Sequence, residues 1–82
     1  MAKYTARYNN RTNKYGNAEI ELCLLENVNG DMLATKLLVR GDLYDIRRYC
    51  RQHKIDFNAI IWGDPVRDTS LVYSRKYGFS QA

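Results

Sequence analysis

Residues 2–9 alternate without a break, with Ala2, Tyr4, Ala6 and Tyr8 on one side and Lys3, Thr5, Arg7 and Asn9 on the other. That period of two predicts a half-buried strand. The stretch from Asn9 to Asn17 is rich in Asn and has no apolar period, so it reads as a polar loop. Residues 18–28 and 31–40 flank Asn29-Gly30, the dipeptide favoured in a two-residue type I′ hairpin because both of its residues accept positive φ.

A two-residue turn sets the register by counting outward from Val28 opposite Asp31. The count puts Leu24 opposite Thr35, Leu22 opposite Leu37 and Ile20 opposite Val39, so the apolar faces coincide. On the other face it pairs Glu19 with Arg40, Glu21 with Leu38, Cys23 with Lys36 and Leu25 with Ala34. Gly41 then breaks the strand, and Asp42 is placed to cap a helix over residues 43–53, with Asp45 in its first turn. At 100° per residue, Leu43, Ile46, Tyr49, Cys50 and His53 share an inner side. Tyr44, Arg48, Arg51 and Gln52 share the outer side, flanked by Arg47 and Lys54.

Residues 56–63 read as a fourth strand, central because Ala59-Ile60-Ile61-Trp62 is apolar on both faces. Asp64 to Asp68 reads as a proline turn, and residues 70–79 as a returning fifth strand. The expected fold class is α+β: a small antiparallel β-sheet with one α-helix on one face, in the order β-β-β-α-β-β, as a single domain over residues 1–82. A chain of 82 residues supports one thin core and leaves little material for the walls of an enzyme cleft. An apolar content of 45% with a single Pro excludes disorder.

Charge adds a second layer to this picture. The formal net charge is +4. Residues 1–18 carry Lys3, Arg7, Arg11 and Lys14 and no acid. Residues 19–46 hold Glu19, Glu21, Glu26, Asp31, Asp42 and Asp45 against Lys36 and Arg40. Arg47, Arg48, Arg51, His53 and Lys54 then follow together. Two such basic segments suit an acidic or polyanionic partner. The first residues lack the apolar stretch of a signal peptide, and no run is long enough to span a bilayer, so a cytoplasmic protein without a membrane association is expected.

Chemistry-bearing motifs are scarce. Cys23 and Cys50 are the only thiols and His53 the only histidine, which makes neither a disulfide framework nor a metal site. Both thiols read as small buried apolar groups, and His53 as a partly buried histidine on the inner helix face. There is no nucleophile elbow, phosphate loop, zinc-protease helix or Cys-x-x-Cys pair. Asp64 and Asp68 are explained by turn formation. Asn10-Arg11-Thr12 has the form of a glycosylation acceptor, but a cytoplasmic chain never presents it for modification. Arg40-Gly41-Asp42 spells an adhesion tripeptide that a strand end, a breaker and a helix cap explain as well. The expectation is therefore a non-enzymatic protein with no cofactor and no metal.

Two surfaces are left for function. One joins the helix back, Tyr44, Arg47, Arg48 and Arg51, with Arg11, Lys14 and Tyr15 of the 9–17 loop. Arg and Tyr together suit either a protein patch or phosphates and exposed bases. The other is the sheet face away from the helix, lined by Lys3, Thr5, Arg7, Cys23, Leu25, Met32, Ala34, Lys36 and Leu38. Left exposed, it would be an apolar patch suited to self-association.

The three-strand-then-helix layout resembles that of the DNA-binding domains of some integrases and plant-type regulators, a likeness of layout that assigns no residue roles. In size and lack of motifs the chain resembles the small proteins with which phages block host machinery. The first functional expectation is a protein-binding inhibitor or adaptor that occludes a site on a nucleic-acid-handling assembly, with an acidic protein or nucleoprotein as partner. The alternative is a basic nucleic-acid-binding domain using the Arg/Tyr helix face and the basic loop.

Overall fold

The computed structural model describes residues 3–63, 67–68, 71–74 and 78–81. Strand β1 covers Lys3–Thr12, β2 Ala18–Val28 and β3 Asp31–Gly41, followed by helix α1, Leu43–Gln52. A single 3₁₀ turn, Phe57–Ala59, leads into β4, Ile61–Trp62. Three further short strands follow: β5 Arg67–Asp68, β6 Leu71–Ser74 and β7 Gly78–Gln81. The main sheet has the order β4-β1-β2-β3-β5. Its three long strands are antiparallel, while β4 runs parallel to β1 and β5 parallel to β3. The fold is thus small α+β as expected, but its sheet is mixed rather than antiparallel.

The hairpin turn forms as the sequence predicts, with φ of 53° at Asn29 and 92° at Gly30. The register matches the count from Val28–Asp31 out to Leu25–Ala34 and then departs from it. Two irregularities, on either side of the Cys23–Leu37 and Leu24–Lys36 pairs, take Thr35 and Leu38 of β3 out of the one-to-one register with β2. Leu22 consequently faces Val39, Glu21 faces Arg40, and Ile20 faces Gly41. The earlier pairings of Leu24 with Thr35, Leu22 with Leu37, Ile20 with Val39, Glu19 with Arg40, Glu21 with Leu38 and Cys23 with Lys36 are therefore corrected. The extra residues have a packing consequence: Leu38 and Val39 both lie against the helix-side core, while Leu37 packs on the opposite face. Thr35, left over by the first bulge, donates its hydroxyl to Glu26.

The helix-side core consists of Ala6, Ile20, Leu22, Ile46, Cys50 and Ile60, with Tyr4, Tyr49, Ile55 and Phe57 against it. Burying each large aliphatic side chain there contributes about 1.5–3 kcal/mol. The far face is also closed. Glu21 and Cys23 are fully buried, as are Thr5, Leu25 and Ala34. The exposed apolar patch expected there is therefore absent at Leu25, Met32 is half-buried, and Leu38, expected on this face, packs against the helix-side core instead. Strand β7, which pairs with β6, lies close to both β1 and β3.

A fully buried Glu21 requires partners. Arg40 Nε donates to its Oε2 at 2.7 Å, and Asn9 Nδ2 donates to the same oxygen at 3.2 Å. Asn9 Nδ2 also lies 2.6 Å from Glu19 Oε1. Asn9 itself is buried, so β1 carries buried groups on both faces rather than the expected one.

The C-terminal part differs most from expectation. Residues 56–63 do not form a central strand. The Asp56 carboxylate accepts from Asn58 N–H at 3.0 Å and caps the 3₁₀ turn, and only Ile60 is buried. Ile61 and Trp62 form a two-residue strand at the sheet edge. The single strand expected over 70–79 is two strands, β6 and β7, and the end of the expected proline turn is β5. Residues 64–66 of that turn lie outside the described residues, as does Ala2 of the first strand.

Helix α1 closes with a backbone motif that usually calls for glycine. Lys54 adopts a φ of 56°, and Ile55 N–H reaches Cys50 C=O at 2.8 Å, which together make a Schellman end. Two left-handed positions therefore predict opposite outcomes. Lys54→Gly should raise unfolding stability by roughly 0.5–1 kcal/mol. Gly30→Val should lower it by more than ~1 kcal/mol, because a β-branched residue cannot take the turn's φ without strain. Urea unfolding of both variants measures both signs.

Candidate functional site

The helix N-terminus organises one end of the molecule. Asp42 Oδ1 accepts from Asp45 N–H at 3.0 Å, and Asp45 Oδ2 accepts from Asp42 N–H at 3.2 Å, a reciprocal capping box. Gly41 makes this possible by absence of a side chain. A Cβ there would stand 2.6 Å from Asp45 Cβ, so Gly41 ends β3 as a close-approach residue and not as a strand breaker.

The other carboxylate oxygen of Asp42 holds the polar loop. Asn13 Nδ2 donates to it at 3.0 Å and Asn17 Nδ2 at 3.1 Å. Asn13 Oδ1 in turn accepts from Tyr15 and Asn17 N–H groups at 3.0 and 2.9 Å. The loop bearing Lys14 and Tyr15 is thereby tied to the start of α1. Lys14 Nζ sits 5.1 Å from the centre of its neighbour Tyr15's ring. The hydrogen bond from the Asp45 backbone, followed by that from Asn17, holds the Asp42 carboxyl below its ordinary value of 3.8.

Next to this knot a cleft of about 250 Å³ is walled by Tyr8 and Tyr44, with Asn17, Ala18, Ile20, Asp42 and Leu43 completing it. Tyr8, on the same side of β1 as the buried Ala6, is 54% exposed. Its ring lies 6.1 Å from that of Trp62, and Trp62 lies 6.0 Å from Phe57 in an edge-on arrangement. The Arg47 guanidinium lies over the Phe57 ring, 4.8 Å from its centre. Strand β4 holds Trp62 in place: Thr5 Oγ1 donates to Ile61 C=O at 2.9 Å, and Gly63 N–H to Ala6 C=O at 3.0 Å. Trp62 and Tyr44 are exposed, and so is Leu43, which helical spacing had placed on the inner side. Helix, loop and sheet edge thus contribute to one aromatic surface with an arginine at its border.

The sequence-derived site residues divide on this surface. Tyr44, Arg47 and Arg51 lie on the flank of α1 that meets the 3₁₀ turn or the cleft. Arg48 borders a different groove from Arg47 and Arg51. Its Nη2 pairs with Asp45 Oδ1 at 3.1 Å, its guanidinium lies 5.5 Å from the Tyr44 ring centre, and it borders a groove with Val39 and Gln52. Lys14 and Tyr15 sit in the tethered loop. The polar loop is shorter than the expected 9–17, because β1 runs on to Thr12; Arg11 therefore lies on the strand, with its N–H bound to Asn9 Oδ1 at 3.0 Å, and lines neither groove. Tyr8, Phe57 and Trp62 were missed because the sequence assigned them to strands, Tyr8 on one side of the first and Phe57 and Trp62 in the fourth, where nothing in the local pattern brings them together.

His53 is exposed rather than inward-facing. It is the C-cap of α1 and stacks on Tyr49 with ring centres 4.1 Å apart. Cys23 and Cys50 are free and buried on opposite sides of the sheet, and burial pushes the Cys50 thiol up. Among the described residues no three of His, Cys, Asp and Glu gather as a metal ion would need. Nor is any described helix long and apolar enough to cross a membrane. Comparison with family models, with curated proteins and with solved structures found no match.

The Asp42 knot generates a pH prediction. A carboxyl depressed in the folded state stabilises above its unfolded value and loses that contribution as pH falls through the folded one. Asp42→Ala should lower the melting temperature at neutral pH. The difference from the parent chain should shrink as pH drops below 3.8, the ordinary value for this carboxyl. Thermal melts from neutral to strongly acid pH measure it.

Proposed function

We propose that this chain is a non-catalytic protein-binding module, an inhibitor or adaptor that docks on a larger assembly through the surface of Tyr8, Leu43, Tyr44, Arg47, Phe57 and Trp62. The observation that carries this reading is the exposure of Trp62 in a row that runs from Arg47 over Phe57 to Tyr8. Trp, Tyr and Arg dominate the binding energy of protein interfaces, where a large rigid ring gains area at low entropic cost. Here the rings are held by elements already folded, so little ordering remains to be lost on binding.

The chemistry of the surroundings supports a protein over a nucleic acid. Asp42 and Asp45 lie at one end of the surface and Asp56 at the other. A polyphosphate backbone following the helix arginines meets these carboxylates, whereas a protein interface tolerates charges of both signs at its rim. Nucleic-acid stacking on the same rings is the competing outcome.

Affinity capture from cell lysate with and without nuclease separates the two, with Trp62→Ala and Lys36→Glu as paired variants. The expected result is a captured protein that survives nuclease. It should be retained by Lys36→Glu, an exposed position on β3, and lost with Trp62→Ala at a cost of ~2 kcal/mol or more. Recovery of nucleic acid alone, with log affinity falling about 0.9 per phosphate against log salt, would contradict the reading.

A further inference from the structure

The arginines of α1 differ in what they already hold. Arg48 is paired with Asp45, and Arg40 on β3 is paired with Glu21. Among the described residues, the side chains of Arg47 and Arg51 meet no carboxylate. They stand four residues apart on one helix face, so their bases are about 5–6 Å apart. Both border an open groove of about 390 Å³ between α1 and the 3₁₀ turn, with Ile55, Asp56 and Phe57 opposite. Arg47 lies over Phe57, and an arginine stacked on a ring keeps its N–H edge directed outward. Phe57 is the start of the aromatic row that continues to Trp62 and Tyr8.

Two guanidinium groups that meet no carboxylate among the described residues therefore adjoin the apolar side chains of Ile55 and Phe57. Carboxylates match the guanidinium fork in two parallel hydrogen bonds. We propose that the partner docks through a short peptide segment in which an Asp or Glu stands next to an aromatic or branched aliphatic residue. The carboxylate is taken by Arg47 and Arg51, and its apolar neighbour lies on Phe57 and Trp62. This rests on the protein-binding reading of the same surface and adds the chemistry of the partner to it. A single carboxylate fits the groove better than a chain of phosphates. The Asp56 carboxylate on the opposite wall, engaged in capping the 3₁₀ turn, repels a continuous polyanion and spares a single charge seated between the arginines.

Selection of random displayed dodecapeptides on the immobilised full chain tests this, using the parent, Trp62→Ala, and the double variant Arg47→Glu, Arg51→Glu. All three positions are exposed, so helix content by circular dichroism should be unchanged. The expected parent consensus is Asp or Glu within two positions of Phe, Trp, Leu or Ile. The best peptide should weaken by at least about tenfold with Arg47→Gln and Arg51→Gln together. The charge-reversed chain should select Lys or Arg beside the same apolar residue. Peptides that need Trp62 but carry no acid would overturn the two-point docking and leave the docking surface standing. If no peptide depends on Trp62, or if labelled oligothymidylate binds more tightly than any peptide, both fall.

Discussion

The Asp42 carboxylate accepts three hydrogen bonds from two separate parts of the chain: the Asp45 backbone of α1 and the side chains of Asn13 and Asn17 in the polar loop. Gly41, one residue earlier, lets β3 pass directly under Asp45. This knot sets where α1 begins and where it points. Because a helix turns 100° per residue, fixing its first turn fixes the direction of every later side chain. Ile46 and Cys50 then fall on the sheet, Tyr44 falls beside Tyr8, and Arg47 and Arg51 fall beside the 3₁₀ turn. The candidate surface is a consequence of the cap.

A second constraint lies beneath. Strand β2 is buried on both faces, with Ile20 and Leu22 toward the helix and Glu21 and Cys23 away from it. A buried carboxylate at the centre of the sheet is costly unless hydrogen-bonded, and Arg40 and Asn9 meet that need. The bulges in β3 bring Arg40 opposite Glu21, which an unbroken ladder would not have done. Polar satisfaction and sheet register are therefore the same fact seen twice. They also tie Arg40 to the sheet, where it neutralises Glu21.

Local chemistry was legible in the residues and long-range geometry was not. Asn29-Gly30, the Asp42 cap and the inner stripe of Ile46, Tyr49 and Cys50 each follow from a rule that acts over a few residues. The bulges at Thr35 and Leu38 violate the uniform pleat that a register count assumes, and no Gly or Pro marks them. The run Ala59-Ile60-Ile61-Trp62 shows the same limit. Apolar character alone cannot tell a central strand from an edge strand whose aromatic residue is left in solvent. For that reason Tyr44, Arg47 and Arg51 were found from helical spacing, while Tyr8, Phe57 and Trp62 join them only in three dimensions.

Trp62 is the only tryptophan in the chain, and it stands in the middle of the proposed surface, so its emission reports on that surface alone. The most direct test is fluorescence titration of the parent chain with a partner or selected peptide that contains no tryptophan. Desolvation of the exposed indole should shift its emission to shorter wavelength in proportion to occupancy. Saturable binding, established by an independent label, that leaves the Trp62 emission unchanged would contradict the account.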